Sequence, residues 1–273
     1  MPQVAELFPQ PLSLPAHQKV YFVSDFHLGS PDIAASRLRE DKIIRWLEMV
    51  QQDAHSVFLL GDTFDFWFEY EHVVPQGYVR FLGKLAELSD RGIHLYLFTG
   101  NHDMWMFDYF PRELSVPVIR QPISLQINQH WFHVGHGDGL GAGDRFYKFI
   151  KNFFTSRFCQ SLFAKVHPDW GIALAQAWST RSRRANLRKD ESFHTKEDEW
   201  IYQYCTEVER QQHHDYYIFG HRHLVLDLSL GASSRYINTG EWFSVCHYAY
   251  YTGKQLKLVP FEASSPTIKA IKQ

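Results

Sequence analysis

Five short clusters of acidic, imidazole and amide residues punctuate the chain, and each follows an apolar run. Asp25-Phe26-His27 comes after the run 19–24, Gly61-Asp62 after 56–60, and Gly100-Asn101-His102-Asp103 after 93–99. Gly135-His136-Gly137-Asp138 closes the run 131–134, and Gly220-His221-Arg222-His223 follows 215–219. Carboxylate, imidazole and amide oxygen together suit Mn, Fe or Zn, whereas an all-oxygen set suits Ca or Mg. The neighbouring glycines let the backbone turn sharply where each ligand must face a metal. Taken singly the clusters say little: Asp-x-His is usually a surface pair, Gly-Asp a common turn, and Gly-Asn-His-Asp a turn with an Asx bond. His-x-His at a strand end says more, because both imidazoles point to one side. The ordered recurrence of all five, each after an apolar strand, carries the metal reading.

The elements that must position these groups follow from the pattern between them. Through the first 110 residues or so, strand runs at 19–24, 56–60 and 93–99 alternate with helical segments at 36–51 and 78–90. Such alternation implies a mostly parallel sheet covered by helices. Ligands of open α/β sheets bind outside the carboxyl ends of strands, so five clusters spread over nearly 200 residues can share one site. Later runs at 116–120, 124–128 and 131–134 read as strands with short connections. The stretch 145–210 is then almost wholly helical, and short β-runs return from Asp215 onward.

The 273 residues suffice for one large α/β domain or two small ones, and 45% hydrophobic content excludes a disordered chain. A net charge of −2 excludes a uniformly basic nucleic-acid binder, so no nucleic-acid partner is expected. It conceals an asymmetry: residues 145–190 hold ten Lys and Arg against two acidic residues. The same segment carries a wide apolar stripe that includes Phe146, Phe149, Phe153, Phe154, Phe158, Leu162, Phe163 and Trp170. Such a segment suits acyl chains or an anionic membrane surface. The 16 His are in excess, and three scattered Cys without a CxxC pair imply a reducing compartment and no structural disulfide. Residues 1–18 lack a signal-peptide pattern and, with four prolines in the first 15, are expected to form a loose arm. No apolar run reaches the length of a membrane span.

The ordered set resembles the calcineurin-like metallophosphoesterase superfamily. The resemblance implies an α/β (α+β) fold: a four-layer β-sandwich flanked by helices, with an inserted helical lid. The expected boundaries are an arm at 1–18, a core of 19–144 and 211–262, a lid at 145–210 and a tail at 263–273. It also implies two divalent ions, expected as Mn2+. Asp25, His27 and His223 would hold one, Asn101, His136 and His221 the second, and Asp62 would bridge them. Two such ions acidify water and clamp the oxygens of an in-line displacement at phosphorus.

Three further stretches are similar to the UDP-2,3-diacylglucosamine hydrolases of lipid A biosynthesis: Leu59–Trp67 (LLGDTFDFW), Asp144 eight residues after His136, and Ser182, Asn186 and Lys189 at the family's spacing. That similarity implies attack at the α-phosphorus of a lipid-linked UDP-sugar, yielding UMP and 2,3-diacylglucosamine 1-phosphate. Asp144, Ser182, Asn186 and Lys189 would orient the substrate, and Asn101 and His221 would touch its phosphates. A departure is His102, where those hydrolases commonly carry Arg; oriented by Asp103, His102 would stabilise the leaving oxygen. The implied location is the cytoplasmic face of the bacterial inner membrane, with the membrane surface as partner. The rivals are another dinuclear phosphoesterase, acting on a nucleotide or phosphoprotein, and a non-catalytic scaffold docking through its Phe-rich helices.

Overall fold

Alternation within single strands decides how the layers stack. In β1 (Lys19–Val23), Val20 and Phe22 join one apolar cluster while Tyr21 and Val23 join another, so the strand is buried on both faces. The computed structural model describes residues 4–141, 145–190, 193, 195–262 and 271–272, and the side chains of 4–5, 145–147, 180–190 and 271–272 lie outside that description. The remaining strands are β2 (Ala54–Leu59), β3 (His94–Phe98), β4 (Val118–Ile119), β5 (Ile123–Ile127), β6 (His130–Val134), β7 (Tyr216–Phe219), β8 (Val225–Leu230), β9 (Ser234–Thr239), β10 (His247–Tyr251), β11 (Leu256–Pro260) and β12 (Ile271–Lys272). The helices are α1 (Val4–Leu7), α2 (Ile33–Val50), α3 (Val79–Asp90), α4 (Tyr109–Leu114), α5 (Arg145–Phe154), α6 (Arg157–Phe163), α7 (Pro168–Asp190) and α8 (Trp200–Gln211).

The described strands form two mixed six-stranded sheets, β11-β10-β1-β2-β3-β4 and β12-β8-β9-β7-β6-β5. Phe22, Phe58, Phe98, Ile119, Phe132, Ile218 and Ile237 fill the space between them. On the outer face of the first sheet, α2 lays down Ile43, Trp46, Leu47 and Val50, and α3 lays down Phe81, Leu85 and Leu88. The 3–4 residue spacing on each helix is what gives it one apolar stripe. Asp32 caps α2, its carboxylate accepting from Ala35 N at 2.9 Å. On the outer face of the second sheet, Ile201 and Cys205 of α8 pack on Tyr217, Phe219, Leu226 and Tyr236. The result is the four-layer α/β sandwich expected from the sequence.

The helical block divides in two. α8 covers the second sheet, whereas α5, α6 and α7 rest on a separate aromatic cluster in which Phe154, Phe163, Ile172 and Ala175 meet Phe66, Phe68 and Trp105. Among the described residues, no helix is long and apolar enough to cross a membrane.

The arm differs from expectation. Its prolines suggest looseness, yet Leu12 pairs with Ile127 at the sheet edge, Leu14 is buried, and the Phe8 ring lies 4.9 Å from that of Tyr96. An edge strand needs few backbone donors, so proline is tolerated there and the apolar side chains still dock.

Candidate metal centre

The strand register brings the five clusters together. β1, β2 and β3 are adjacent and parallel in the first sheet, as are β6 and β7 in the second, so their carboxyl ends open on the same edge. β1, β2 and β7 then hand the chain to turns that ordinary residues seldom make. Asp25 (φ 58°), His27 (44°), Asp62 (50°), His221 (70°) and His223 (54°) all adopt left-handed backbone. Asp and His tolerate this region better than most residues, but it still costs about 1–3 kcal/mol each. Hydrogen bonds between loops hold the turns: Asp25 N donates to Gly61 O (3.1 Å), His27 N to Asp62 O (2.8 Å) and His221 N to Asp25 Oδ2 (3.0 Å). Close approach explains two glycines. A Cβ on Gly61 would stand 2.8 Å from the His136 ring, and one on Gly100 would stand 2.6 Å from Asp62 N.

The side chains converge as acceptors. His27 Nε2 lies 3.1 Å from His223 Nε2, and His223 Nε2 lies 3.4 Å from Asp25 Oδ1. On the other side, His136 Nε2 lies 3.2 Å from Asp62 Oδ2 and 3.3 Å from Asn101 Oδ1. Asp25, His27 and His223 form one group able to hold a cation, and Asp62, His136 and His221 another, each with its ligand atoms within 4.8 Å of one another. Imidazole nitrogens, carboxylate oxygens and an amide oxygen all turned to one space are the donor set that a divalent ion takes, so the residues fit a divalent pair. The charge balance agrees. With protons as the only cations, burial pulls His136 down but Asp62 holds it up at about 10, while Asp25 and Asp65 overcome the burial of His27 to hold it at about 9. Burial and the charge of His136 push His221 down to about 4.

Around this shell, His136 Nδ1 is 2.9 Å from Leu60 O, which directs its other nitrogen inward. Asp65 stands beside His27 at longer range, Oδ1 3.5 Å from Nδ1, an electrostatic contact without a hydrogen bond. The buried Arg222 guanidinium, between the two histidines of its loop, donates to Glu199 at 2.9 and 3.0 Å and stacks 4.1 Å over Trp200. It thereby pins the loop to the start of α8. Asp65, Glu199 and Arg222 have no assigned part in the sequence reading. Asp65 alone left a signal there, three residues after Asp62 in the acidic and aromatic stretch.

One expectation is corrected. Asp103 does not orient His102: its buried carboxylate accepts from the backbone N–H groups of Gly100 (2.7 Å), Thr63 (2.8 Å) and Phe64 (3.2 Å). Burial and the charge of Asp62 raise Asp103 to about 7. His102 is held from elsewhere, its Nδ1 3.2 Å from Asp65 O and 3.1 Å from Ser179 Oγ of α7. Adjacent residues at a sharp turn point apart, so sequence neighbourhood misleads here. Of the substrate contacts expected, Asn101, His102 and His221 line the centre; Asp144 and the side chains of Ser182, Asn186 and Lys189 lie outside the described residues.

A calcineurin-like phosphoesterase family model matches residues 18–225. A UDP-2,3-diacylglucosamine hydrolase of Porphyromonas gingivalis is 37% identical over 256 residues, covering 89% of this chain and 98% of its own. One from Proteus mirabilis is 28% identical over 63% of this chain and 69% of its own. Among solved structures, an Escherichia coli phosphoesterase matches with a TM-score of 0.45 and 14% identity, over 91% of this chain and 96% of its own. By the family model and the Porphyromonas gingivalis relative, the chain belongs to the calcineurin-like phosphoesterase family, as a metal-dependent hydrolase akin to the UDP-2,3-diacylglucosamine hydrolases.

Proposed function

We propose that the chain hydrolyses the diphosphate of UDP-2,3-diacylglucosamine with Mn2+ as its metal. The oxygen of water joins the α-phosphorus, the bond to the bridging oxygen breaks, and UMP separates from 2,3-diacylglucosamine 1-phosphate. Asp25, His27 and His223 hold one ion, Asn101, His136 and His221 the other, and Asp62 both. When bound, the ions supply a water acidified towards neutrality and positive charge for the phosphate oxygens. Asn101 and His221 also reach the phosphates, and His102 stabilises the departing oxygen by donating a ring N–H to it. Asp144, Ser182, Asn186 and Lys189 orient the glucosamine and its phosphates from the lid.

The observation that carries this reading is the meeting of a complete acceptor cluster with a basic, Phe-rich helical cover. In this reading the cover consists of α5 to α7, while α8 serves the core. Phe149, Phe158, Trp170, Leu174 and Trp178 stand exposed on the cover. Beside its ten cations they support docking on the anionic cytoplasmic face of the inner membrane, where the lipid-linked substrate lies.

The test is UMP release from the diacylated sugar nucleotide by chelator-treated protein, with and without Mn2+. Release that requires Mn2+ supports the reading. Absence of release, with turnover of another nucleotide or phosphoprotein, sinks the substrate assignment and leaves the metal centre standing.

A further inference from the structure

The loop 26–30, between β1 and α2, carries His27 and is held on both sides of its backbone. Its N–H groups go to the turn after β2: His27 N donates to Asp62 O at 2.8 Å and Leu28 N to Thr63 O at 3.0 Å. Its carbonyls face one side chain of α2. Arg39 Nε donates to Phe26 O at 2.7 Å, and Nη2 donates to His27 O at 2.7 Å and to Ser30 O. Ser30 N also donates to His27 O, at 3.2 Å, but that bond lies within the loop and cannot fix it to the core. Phe26, His27 and Ser30 are at most 2% exposed, so removing the fork strips donors from buried carbonyls. A planar fork can serve several acceptors at once in fixed directions, which the point charge of an ammonium cannot. The same guanidinium lies 4.2 Å from the centre of the Phe243 ring. That ring is stacked on the imidazole of His27, 5.4 Å between centres and 25° between planes. Arg39 thus reaches His27 twice, through its carbonyl and through Phe243, and supports a residue whose left-handed backbone needs support from its surroundings.

We propose that Arg39 is a positioning residue for one half of the metal centre: it sets the affinity for the ion held by Asp25, His27 and His223, and leaves the ion held by Asn101, His136 and His221 almost untouched. None of the latter three ligands lies on the loop that the guanidinium grips. The inference rests on the ligand assignment proposed above, and the experiment separates the two.

Mn2+ binding to the full chain is measured by titration calorimetry and electron paramagnetic resonance in backgrounds that keep one position each. His136→Ala leaves the position of His27, and His27→Ala leaves that of His136. Adding Arg39→Met to the first background should weaken Mn2+ binding by about ten- to hundred-fold, the loss usual when a ligand's support is removed. In the second background it should change binding by less than about two-fold. Arg39→Lys, which keeps the charge without the fork, should give a loss of the same kind, and Phe243→Leu a smaller one, each in the first background alone. Should Arg39→Met fail to fold, these two variants carry the same comparison. Equal losses in both backgrounds, or none in either, overturn the inference alone, since a residue that only braces the fold would weaken both positions alike. Two ions bound by His27→Ala as tightly as by the unchanged protein overturn the ligand assignment and the inference with it.

Discussion

The strand-end loops and the helical cover face the same centre and are built in opposite ways. In the loops, polar groups are buried: Asp25, His27, Asp62 and Asp103 are at most 1% exposed, and the backbone is bent to bring them there. In the cover, apolar groups are exposed, with Phe149 at 70%, Trp170 at 75% and Trp178 at 63%. The loops hold their groups in strained turns that only surrounding hydrogen bonds and a cation make tolerable. The cover leaves much of its apolar surface in water, where folding gains little from it. Large apolar side chains exposed in such number on one helical segment suit a surface of interaction. The contrast teaches that the residues that hold the centre and those left to meet a partner surface, a lipid surface in the function proposed above, are different ones.

The comparison can be broken most severely at Asp62. Asp62→Ala should lower UMP release by about a thousand-fold or more while the circular dichroism of the fold is kept; substantial Mn2+-dependent turnover would remove the bridging role. Next is Trp105, whose indole donates to Phe154 O at 2.8 Å and joins cover to core. Trp105→Ala should cost about 3 kcal/mol or more of local stability, read as faster proteolysis within 145–190 than within the core. Metal removal should come third. Saturating Mn2+ at a hundred times its Kd would add about 2.7 kcal/mol, a melting shift of roughly 5–10 °C. This effect should depend on pH. His27 and His136, raised to about 9 and 10, stabilise the chelator-treated fold fully below their unfolded value of about 6.5. Their contribution is lost as pH rises through 9 and 10, so stability should fall over that window without metal and stay flat with it. Smallest is Phe149→Ser with Trp178→Ser. Stability should move by less than about 0.5 kcal/mol, but binding to vesicles containing anionic lipid should fall; unchanged binding would detach the exposed stripe from any lipid role.

The core was legible because two signals coincide at each strand end: an apolar run of strand length, then a polar cluster with glycine. That pairing marks β1, β2, β3, β6 and β7 and the acceptors that follow them. What escaped was set by tertiary geometry. Leu12 and Leu14 dock although proline dominates their segment, and α4 is only six residues long, too short to show a period. Asp103 stands beside His102 in the chain yet bonds backbone around Thr63, while Asp65, 37 residues away, supplies the contact. Ser179 looks no different from Ser182 in sequence. Only the packing of α7 on Phe66, Phe68 and Trp105 shows that the Ser179 hydroxyl is buried.

The last acceptors arrive late in the chain: His221 lies 196 residues after Asp25, on the far sheet. A polypeptide leaving the ribosome therefore carries Asp25, His27 and Asp62 long before their partners exist. Because domains fold as units and ligands on different sheets cannot gather earlier, ion loading belongs to the end of biogenesis. By then residues 145–190 have already been made. The complete set of acceptors therefore never exists in a chain that lacks those residues.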